Sequence, residues 1–185
     1  MVSVQKGIAT VIHEQMQIAV QFAPMVGQPQ AVNPLFTSTV VAVNVHSEAC
    51  LFSYDQIARP EMTKPGLPFV AIGSGQPIAD PFLSLLRRIF WPDKLPTYGE
   101  GVFAVLWTLQ HAIQTHPGGV ADPIQILALR NGTVKELTDA DLDEHRQNID
   151  AAEGSLRNYK NSFVTTETTT TAPPFPDPPK ITPKT

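Results

Sequence analysis

The junction at residues 69–86 constrains the fold of this chain most strongly. An apolar run, FVAI (69–72), stops at Gly73-Ser74-Gly75, and a helical pattern begins at once. The apolar face of that helix comprises Ile78, Phe82, Leu85, Leu86 and Ile89. This pattern predicts a strand, a tight turn and a helix. Two glycines around a serine at such a turn are typical of a phosphate loop, a nucleophile or a structural hinge.

The residues around Ser74 do not match the phosphate loops or the nucleophile elbow. A dinucleotide loop needs a third glycine where this chain has Ile78, and a Walker loop needs a lysine that is missing here. A nucleophile elbow needs glycine two residues to each side of the serine, where isoleucine and glutamine stand. Two readings stay open: an anion site at the helix N-terminus, or a structural turn in which Gly73 and Gly75 allow positive φ and close backbone approach.

The periodicities along the rest of the chain predict an α+β fold. The predicted elements are a helix (4–22), three strands (37–45, 50–54 and 67–72), two helices with apolar stripes at 78–89 and 102–113, a hairpin (123–129 and 133–137) around Asn131-Gly132, and a helix from Thr138 to about Tyr159. The stripe of the first helix comprises Ile8, Val11, Ile12, Met16 and Ala19. Because strands and helices come in blocks rather than as βαβ units, we expect them in separate layers.

Composition excludes several classes of function. The net charge is −4 and no Lys/Arg cluster is present, so we expect no nucleic-acid partner. No run approaches the ~18 apolar residues of a membrane span, and the N-terminal stretch lacks the apolar core of a signal peptide. We therefore expect no membrane partner and a cytoplasmic location. Only 16% of the residues are charged, which indicates a surface that meets other chains, in a homo- or hetero-oligomer.

No metal or cofactor site is predicted. His111 and His116 are five residues apart, whereas helical zinc pairs are four apart. The acidic residues in 139–143 resemble a calcium loop but lack its central glycine and final glutamate, so they are better explained as a helix N-terminus. Cys50 lies within a strand pattern without basic neighbours, which favours a buried thiol over a nucleophile.

The C-terminal segment is predicted to be a disordered tail. Threonine and proline dominate residues 164–185, and from Thr165 onward the only large apolar residues are Phe175 and Ile181. Such a composition buries too little surface to offset the entropy lost on ordering. The expected organisation is thus one domain at 1–163 followed by the tail.

Two long stretches, residues 39–86 and 101–137, resemble the second half of proteasome-type subunits, including their bacterial two-ring relatives. That family shows an apolar strand, a return strand ending in an acidic residue, and Ala-Ile-Gly-Ser-Gly opening a helix. A second helix, a Gly-Gly loop and a closing hairpin follow. The matching positions here are Asp55, the motif from Ala71 to Gly75, and the loop Gly118-Gly119.

The resemblance implies a partial αββα sandwich of the N-terminal nucleophile hydrolase type. Active members are threonine-type peptidases, in which a processed N-terminal threonine attacks the peptide carbonyl and its own amine acts as base. This sequence begins MVSVQ, directly in a helical pattern, so the strands that would carry that threonine are not expected. Gln114 and Pro117 also stand where the family has aspartate and serine.

These departures predict a proteasome-like, proteolysis-related subunit or fragment that is not catalytic alone, which leaves open whether it is part of an enzyme. No residue is assigned a catalytic role, and no cofactor is expected. The residues expected to line the remnant of the family site are Gly73, Ser74, Gly75, Gly118 and Gly119. The alternative is an α+β structural or anion-binding module that acts through an oligomeric interface.

Overall fold

The computed structural model describes residues 2–22, 38–46 and 48–164. The elements are α1 (Val2–Phe22), β1 (Thr39–Val45), β2 (Glu48–Tyr54), β3 (Pro60–Met62), α2 (Gln76–Phe90), α3 (Tyr98–Thr115), β4 (Leu127–Arg130), β5 (Thr133–Glu136) and α4 (Asp139–Val164). Residues up to Ile149 form one compact unit, and the rest of α4 belongs to a second unit. The tail predicted at 164–185 lies outside the described residues from position 165 onward.

The first sheet has the antiparallel order β1-β2-β3, and α1 covers one of its faces. Alternate residues of the β1–β2 hairpin form that face, where Phe52 and Tyr54 are fully buried. The residues of α1 that pack against it are Val4, Ile8, Ala9 and Ile12. Val11, which was predicted on the buried stripe, is 57% exposed because it lies to the side of this contact.

The third strand lies at Pro60–Met62, so its prediction at 67–72 is wrong. The chain returns beside β2 through a turn in which the Asp55 carboxylate accepts the N–H groups of Ile57 and Arg59, at 3.0 and 2.8 Å. Proline is tolerated at the first residue of this strand because β3 is at the edge of the sheet and needs fewer backbone donors.

The apolar run at 67–72 takes another role. Only Leu67 makes a β-bridge, to Lys64, and residues 68–72 have no strand partner. The backbone N–H of Ala71 instead donates to the carboxylate of Asp80 on α2, at 3.1 Å. A side chain therefore satisfies the donor that a strand would have bonded to a neighbour.

The helices α2 and α3 pack against each other through aromatic side chains. Phe82 meets Trp107 edge to face, with ring centroids 5.7 Å apart, and stacks on the imidazole of His111 at 4.3 Å. A capping box begins α3: the Thr97 hydroxyl accepts the N–H of Glu100, and the Glu100 carboxylate accepts the N–H of Thr97. The stacking of Phe82 on His111 holds the first part of α2 against the last part of α3.

The closing hairpin and last helix confirm their predictions. Asn131 and Gly132 have φ of 51° and 77°, as a two-residue type I′ turn requires, and join β4 to β5. Thr138 caps α4 by exchanging hydrogen bonds with Asp141. Four helices and two small antiparallel sheets in the described residues establish the α+β class. The αββα arrangement stays a prediction.

Among the described helices, none combines the length and the apolar composition needed to cross a bilayer.

Candidate functional site

Two loops that are distant in sequence meet where α2 begins and α3 ends. The hydroxyl of Ser74 donates a hydrogen bond of 2.6 Å to the carbonyl oxygen of Gly119, 45 residues away. Ser74 belongs to the Gly-Ser-Gly turn before α2, and Gly119 to the turn that follows α3. The structure thus brings together the two loops that the sequence singles out.

The two glycines beside Ser74 serve different purposes. Gly73 has a φ of +85°, a conformation that L-residues with a side chain rarely adopt. Gly75 is the N-cap of α2 with a φ of −82°, so positive φ is not the reason for a glycine at this position. Its reason is space, because a Cβ at Gly75 would lie 2.9 Å from Cγ2 of Val120.

The Gly-Gly loop also divides into two unlike positions. A Cβ at Gly119 would overlap the imidazole ring of His116, whereas a Cβ at Gly118 would meet no atom within 4 Å. The turn is closed by hydrogen bonds from the N–H groups of Gly119 and Val120 to the carbonyl of His116, at 3.0 and 3.1 Å. Gly119, and not Gly118, therefore carries the packing of this loop.

The N-terminus of α2 keeps few donors for an anion. The N–H of Gln76 donates to the carbonyl of Gly73, and those of Ile78 and Ala79 donate to the carbonyl of Gly75. The remaining first-turn residue is Pro77, which has no N–H. The backbone donors that usually hold an anion at a helix start are therefore engaged or missing in this turn.

The sequence analysis did not identify Asp80, whose carboxylate links the first turn of α2 to the apolar run before the Gly-Ser-Gly turn. Its Oδ1 accepts the N–H of Ala71, and its Oδ2 accepts the side-chain amide of Gln76, at 3.1 Å each. Gln76 and Asp80 stand four residues apart at the start of a helix, where side chains meet. That spacing was a signal that could have identified the pair.

An apolar cavity lies behind the two loops. Its volume is about 410 Å³, and α2 and α3 form its walls. Its lining side chains include Ala79, Leu83, Val105, Leu109, Ala112 and Val120. The buried hydroxyl of Thr108 donates to the carbonyl of Ala104 at 2.7 Å, so it is not free for a ligand. The lining of this cavity therefore suits an apolar side chain or ligand group rather than a polar group that takes part in a reaction.

None of the hydrogen bonds described for Ser74 involves a histidine that could act as base. The imidazole of His111 stacks on Phe82, and that of His116 packs against Gly119. His46 lies in the turn after β1, with a φ of 52°. The proton of the Ser74 hydroxyl is directed at a backbone carbonyl, which cannot accept it as a general base does.

Asp55, the acidic residue of the resemblance, acts as a turn cap. Backbone hydrogen bonds hold its pKa below the usual value, first that from Arg59 and then that from Ile57. Both donors lie in the turn that leads to β3. The structure therefore shows this carboxylate in a local structural role.

The acidic residues at the start of α4 form a cap and an ion-pair network, as the helix N-terminus interpretation predicts. Hydrogen bonds from Lys135 and Thr138 lower the pKa of Asp141 to about 2. Arg146 pairs with Asp139 and Asp143, at 2.7 and 2.9 Å. No group of His, Cys, Asp and Glu side chains in the described part of the chain is arranged to hold a metal ion.

Cys50 is 8% exposed on the α1-covered face of β2. This confirms the buried thiol predicted from its strand pattern.

No protein-family model, curated protein or solved structure matches this chain. The resemblance to proteasome-type subunits therefore rests on the residues quoted above.

Proposed function

We propose that this chain is a proteasome-type subunit that serves as a structural, non-catalytic member of an assembly. The observation that carries the proposal is the hydrogen bond between Ser74 and Gly119. It joins the Gly-Ser-Gly turn and the Gly-Gly loop, the two motifs that the resemblance assigns to one site. Because α2 and α3 are consecutive packed helices, the start of one lies beside the end of the other in any such helix pair, so the support comes from the motif residues that meet there.

The fold that we propose is part of an αββα sandwich. Helix α1 covers one face of the β1-β2-β3 sheet, as the outer helical layer of such a sandwich does. On the opposite face, Ala42 and Ala49 are exposed and border a cavity of about 780 Å³, which Leu95 and Leu129 of β4 also line. A second sheet would occupy this side in the complete sandwich.

The chemistry at Ser74 supports a non-catalytic role. Acyl transfer requires a nucleophile, a base and donors for the oxyanion. Here the candidate hydroxyl is bonded to the carbonyl of Gly119, and the first turn of α2 has its N–H groups engaged. These engaged donors also count against the anion-binding alternative. We propose that the assembly is cytoplasmic, because the single cysteine allows no internal disulfide.

The assembly state of the purified chain tests this proposal. Size-exclusion chromatography with light scattering, at tens of micromolar, should give a mass of at least two chains. Among the described residues the outer edge of β1 has no strand partner, and we propose that another chain covers it. A well-behaved monomer across this concentration range would contradict the proposed role.

A further inference from the structure

We propose that a cavity between the β4–β5 hairpin and the first turns of α3 and α4 binds a small organic phosphate. The cavity has a volume of about 380 Å³, within the range of small-molecule sites. Its lining includes Tyr98 of α3, Arg130 and Thr133 of the hairpin, and His145 of α4. Each of these four side chains can donate a hydrogen bond, so donors from three parts of the fold border one space.

The register of the hairpin brings its polar side chains to the cavity. Arg130 lies opposite Thr133, and Ala128 lies opposite Lys135. Because directly opposed residues and residues two apart share a face of a sheet, these four side chains belong to one face. The guanidinium of Arg130 lies over the ring of Tyr98, with its Cζ 5.3 Å from the ring centroid. This contact positions the guanidinium and leaves its N–H groups able to donate.

The carboxylate that the structure places in this lining is already engaged. Oδ1 of Asp141 accepts Nζ of Lys135 at 2.7 Å, and Oδ2 accepts the N–H and the hydroxyl of Thr138 at 2.9 and 2.8 Å. In the described part of the chain, Arg130 forms no ion pair. A positive charge therefore remains beside the cavity, although the net charge of the chain is −4. A guanidinium in this position suits a phosphate, which it can bind through two parallel N–H groups.

His145 adds a donor from the opposite wall of the cavity. Its side chain is half-buried, and its Cε1 lies 3.9 Å from the position that a Cβ at Gly99 would occupy. His145 follows Asp141 by one helical turn, so both residues lie on the side of α4 that borders the cavity. The imidazole has an N–H donor in either protonation state. A phosphate offers three oxygens to this N–H, to the Arg130 guanidinium and to the Thr133 hydroxyl.

The apolar part of the lining favours an organic phosphate over the inorganic ion. Val102 and Ala128 are 6% and 9% exposed, and Leu137 is half-buried. Inorganic phosphate would leave these side chains uncovered, whereas a phosphate ester with a small apolar body would contact them and gain free energy from their burial.

This inference is independent of the proposed function. The cavity lies at the start of α3, and the junction of Ser74 with Gly119 lies beyond its end, about 25 Å along the helix axis. No step of the argument uses the resemblance or an assembly.

Isothermal titration calorimetry of the full chain with phenyl phosphate tests the site. We expect a dissociation constant in the millimolar range or below, weaker binding of inorganic phosphate, and no binding of benzyl alcohol, which lacks the charge. Arg130→Gln should raise the constant for phenyl phosphate about tenfold, because a charge-assisted hydrogen bond is lost. His145→Phe, which keeps a ring without a donor, should raise it several-fold. Arg88→Gln makes the same change of charge at an exposed position on α2 and should leave it unchanged.

Thermal unfolding followed by circular dichroism shows that each variant is folded before it is titrated. A wild-type chain that does not bind phenyl phosphate at tens of millimolar overturns the proposal. Binding that Arg130→Gln and His145→Phe leave intact overturns the location, and equal weakening by Arg88→Gln shows attraction to the overall charge only. None of these results changes the mass measured for the assembly, so the two proposals fail separately.

Discussion

Gly75 and Gly119 leave no room for a side chain, for different reasons. A Cβ at Gly75 would press on Val120 of the opposite loop, whereas one at Gly119 would overlap His116 of its own turn. The Gly75–Val120 packing and the Ser74 hydrogen bond join the start of α2 to the end of α3. At the scale of single residues, the site is a packed junction.

The Gly-Gly loop allows a matched pair of substitutions. Gly119→Ala should lower the free energy of unfolding by about 0.5–1.5 kcal/mol, because the exposed imidazole of His116 must rotate away from its present position. Gly118→Ala should change it by less than about 0.5 kcal/mol, because its Cβ enters open space. Urea denaturation of both variants measures the difference. Equal effects would contradict the packing described for this loop.

Around Ser74, we expect the lack of a side chain at Gly75 to contribute more to the free energy of unfolding than the Ser74 hydroxyl does. Gly75→Val should cost about 1–3 kcal/mol through overlap with Val120, whereas Ser74→Ala removes one exposed hydrogen bond worth about 0.5–1.5 kcal/mol. Chemical denaturation in the same buffer gives both values. A serine variant that proves the more damaging to folding would mean that this hydroxyl does more than join two loops.

At the scale of elements, capping boxes define where α3 and α4 begin. Glu100 accepts the N–H of Thr97, and Asp141 accepts that of Thr138. The pKa of Glu100 is lowered from 4.5 to about 2, chiefly by this backbone hydrogen bond and then by one from the Trp91 side chain. The pKa of Asp141 is lowered from 3.8 to about 2 by hydrogen bonds from Lys135 and Thr138.

These lowered pKa values predict acid sensitivity. A carboxylate whose folded pKa lies below its unfolded pKa stabilises the fold above the unfolded value. That stability is lost as the pH falls from about 4.5 to about 2. Thermal unfolding midpoints should drop over this window in the wild type.

Glu100→Gln and Asp141→Asn should each make that drop shallower and lower the midpoint at neutral pH. Asp93→Asn, an exposed carboxylate outside both caps, should follow the wild type. A pH profile that the cap variants share with the wild type would show that these carboxylates do not act as described.

The hairpins and helices could be predicted from local sequence patterns, whereas the position of the third strand could not. Asn131-Gly132 specifies its turn by backbone conformation alone, and the β-branched run in β1 specifies a strand. Residues 67–72 have the same apolar character, but their partner is a helix, and the Asp80 side chain that bonds Ala71 is invisible to periodicity. β3 was missed because Pro60 argues against a strand unless the strand is known to be an edge.

The sequence predicted the two loops of the candidate site, but it did not predict the hydrogen bond between Ser74 and Gly119 that joins them. The spacing of Gly73-Ser74-Gly75 says nothing of Gly119, and the order of α2 and α3 places the two loops at the same end of a helix pair without giving their contact. The role of Asp80 and the overlap of Gly119 with His116 depend on how α2 and α3 pack. Tertiary packing of this kind leaves no local pattern in the sequence.

At the scale of the whole molecule, one layer of the fold is covered and another is open. The sheet has α1 on one face, while Ala42 and Ala49 are exposed on the other, beside a cavity that Leu95 and Leu129 also line. Among the described residues, β1 has a strand partner on one side. Under the proposed function, other chains cover such surfaces. The Ser74 junction would then position α2 and α3 within an assembly.

The most direct test of this account is covalent labelling of the purified chain. The chain is incubated with an epoxyketone and, separately, with a fluorophosphonate, and its intact mass is measured alongside turnover of fluorogenic peptides. An active threonine peptidase treated in parallel is the positive control. The account predicts an unchanged mass and no turnover, because the Ser74 hydroxyl donates to the carbonyl of Gly119 and no described hydrogen bond joins it to a base. A stoichiometric adduct on this chain would contradict it, and the labelled residue would identify the true nucleophile.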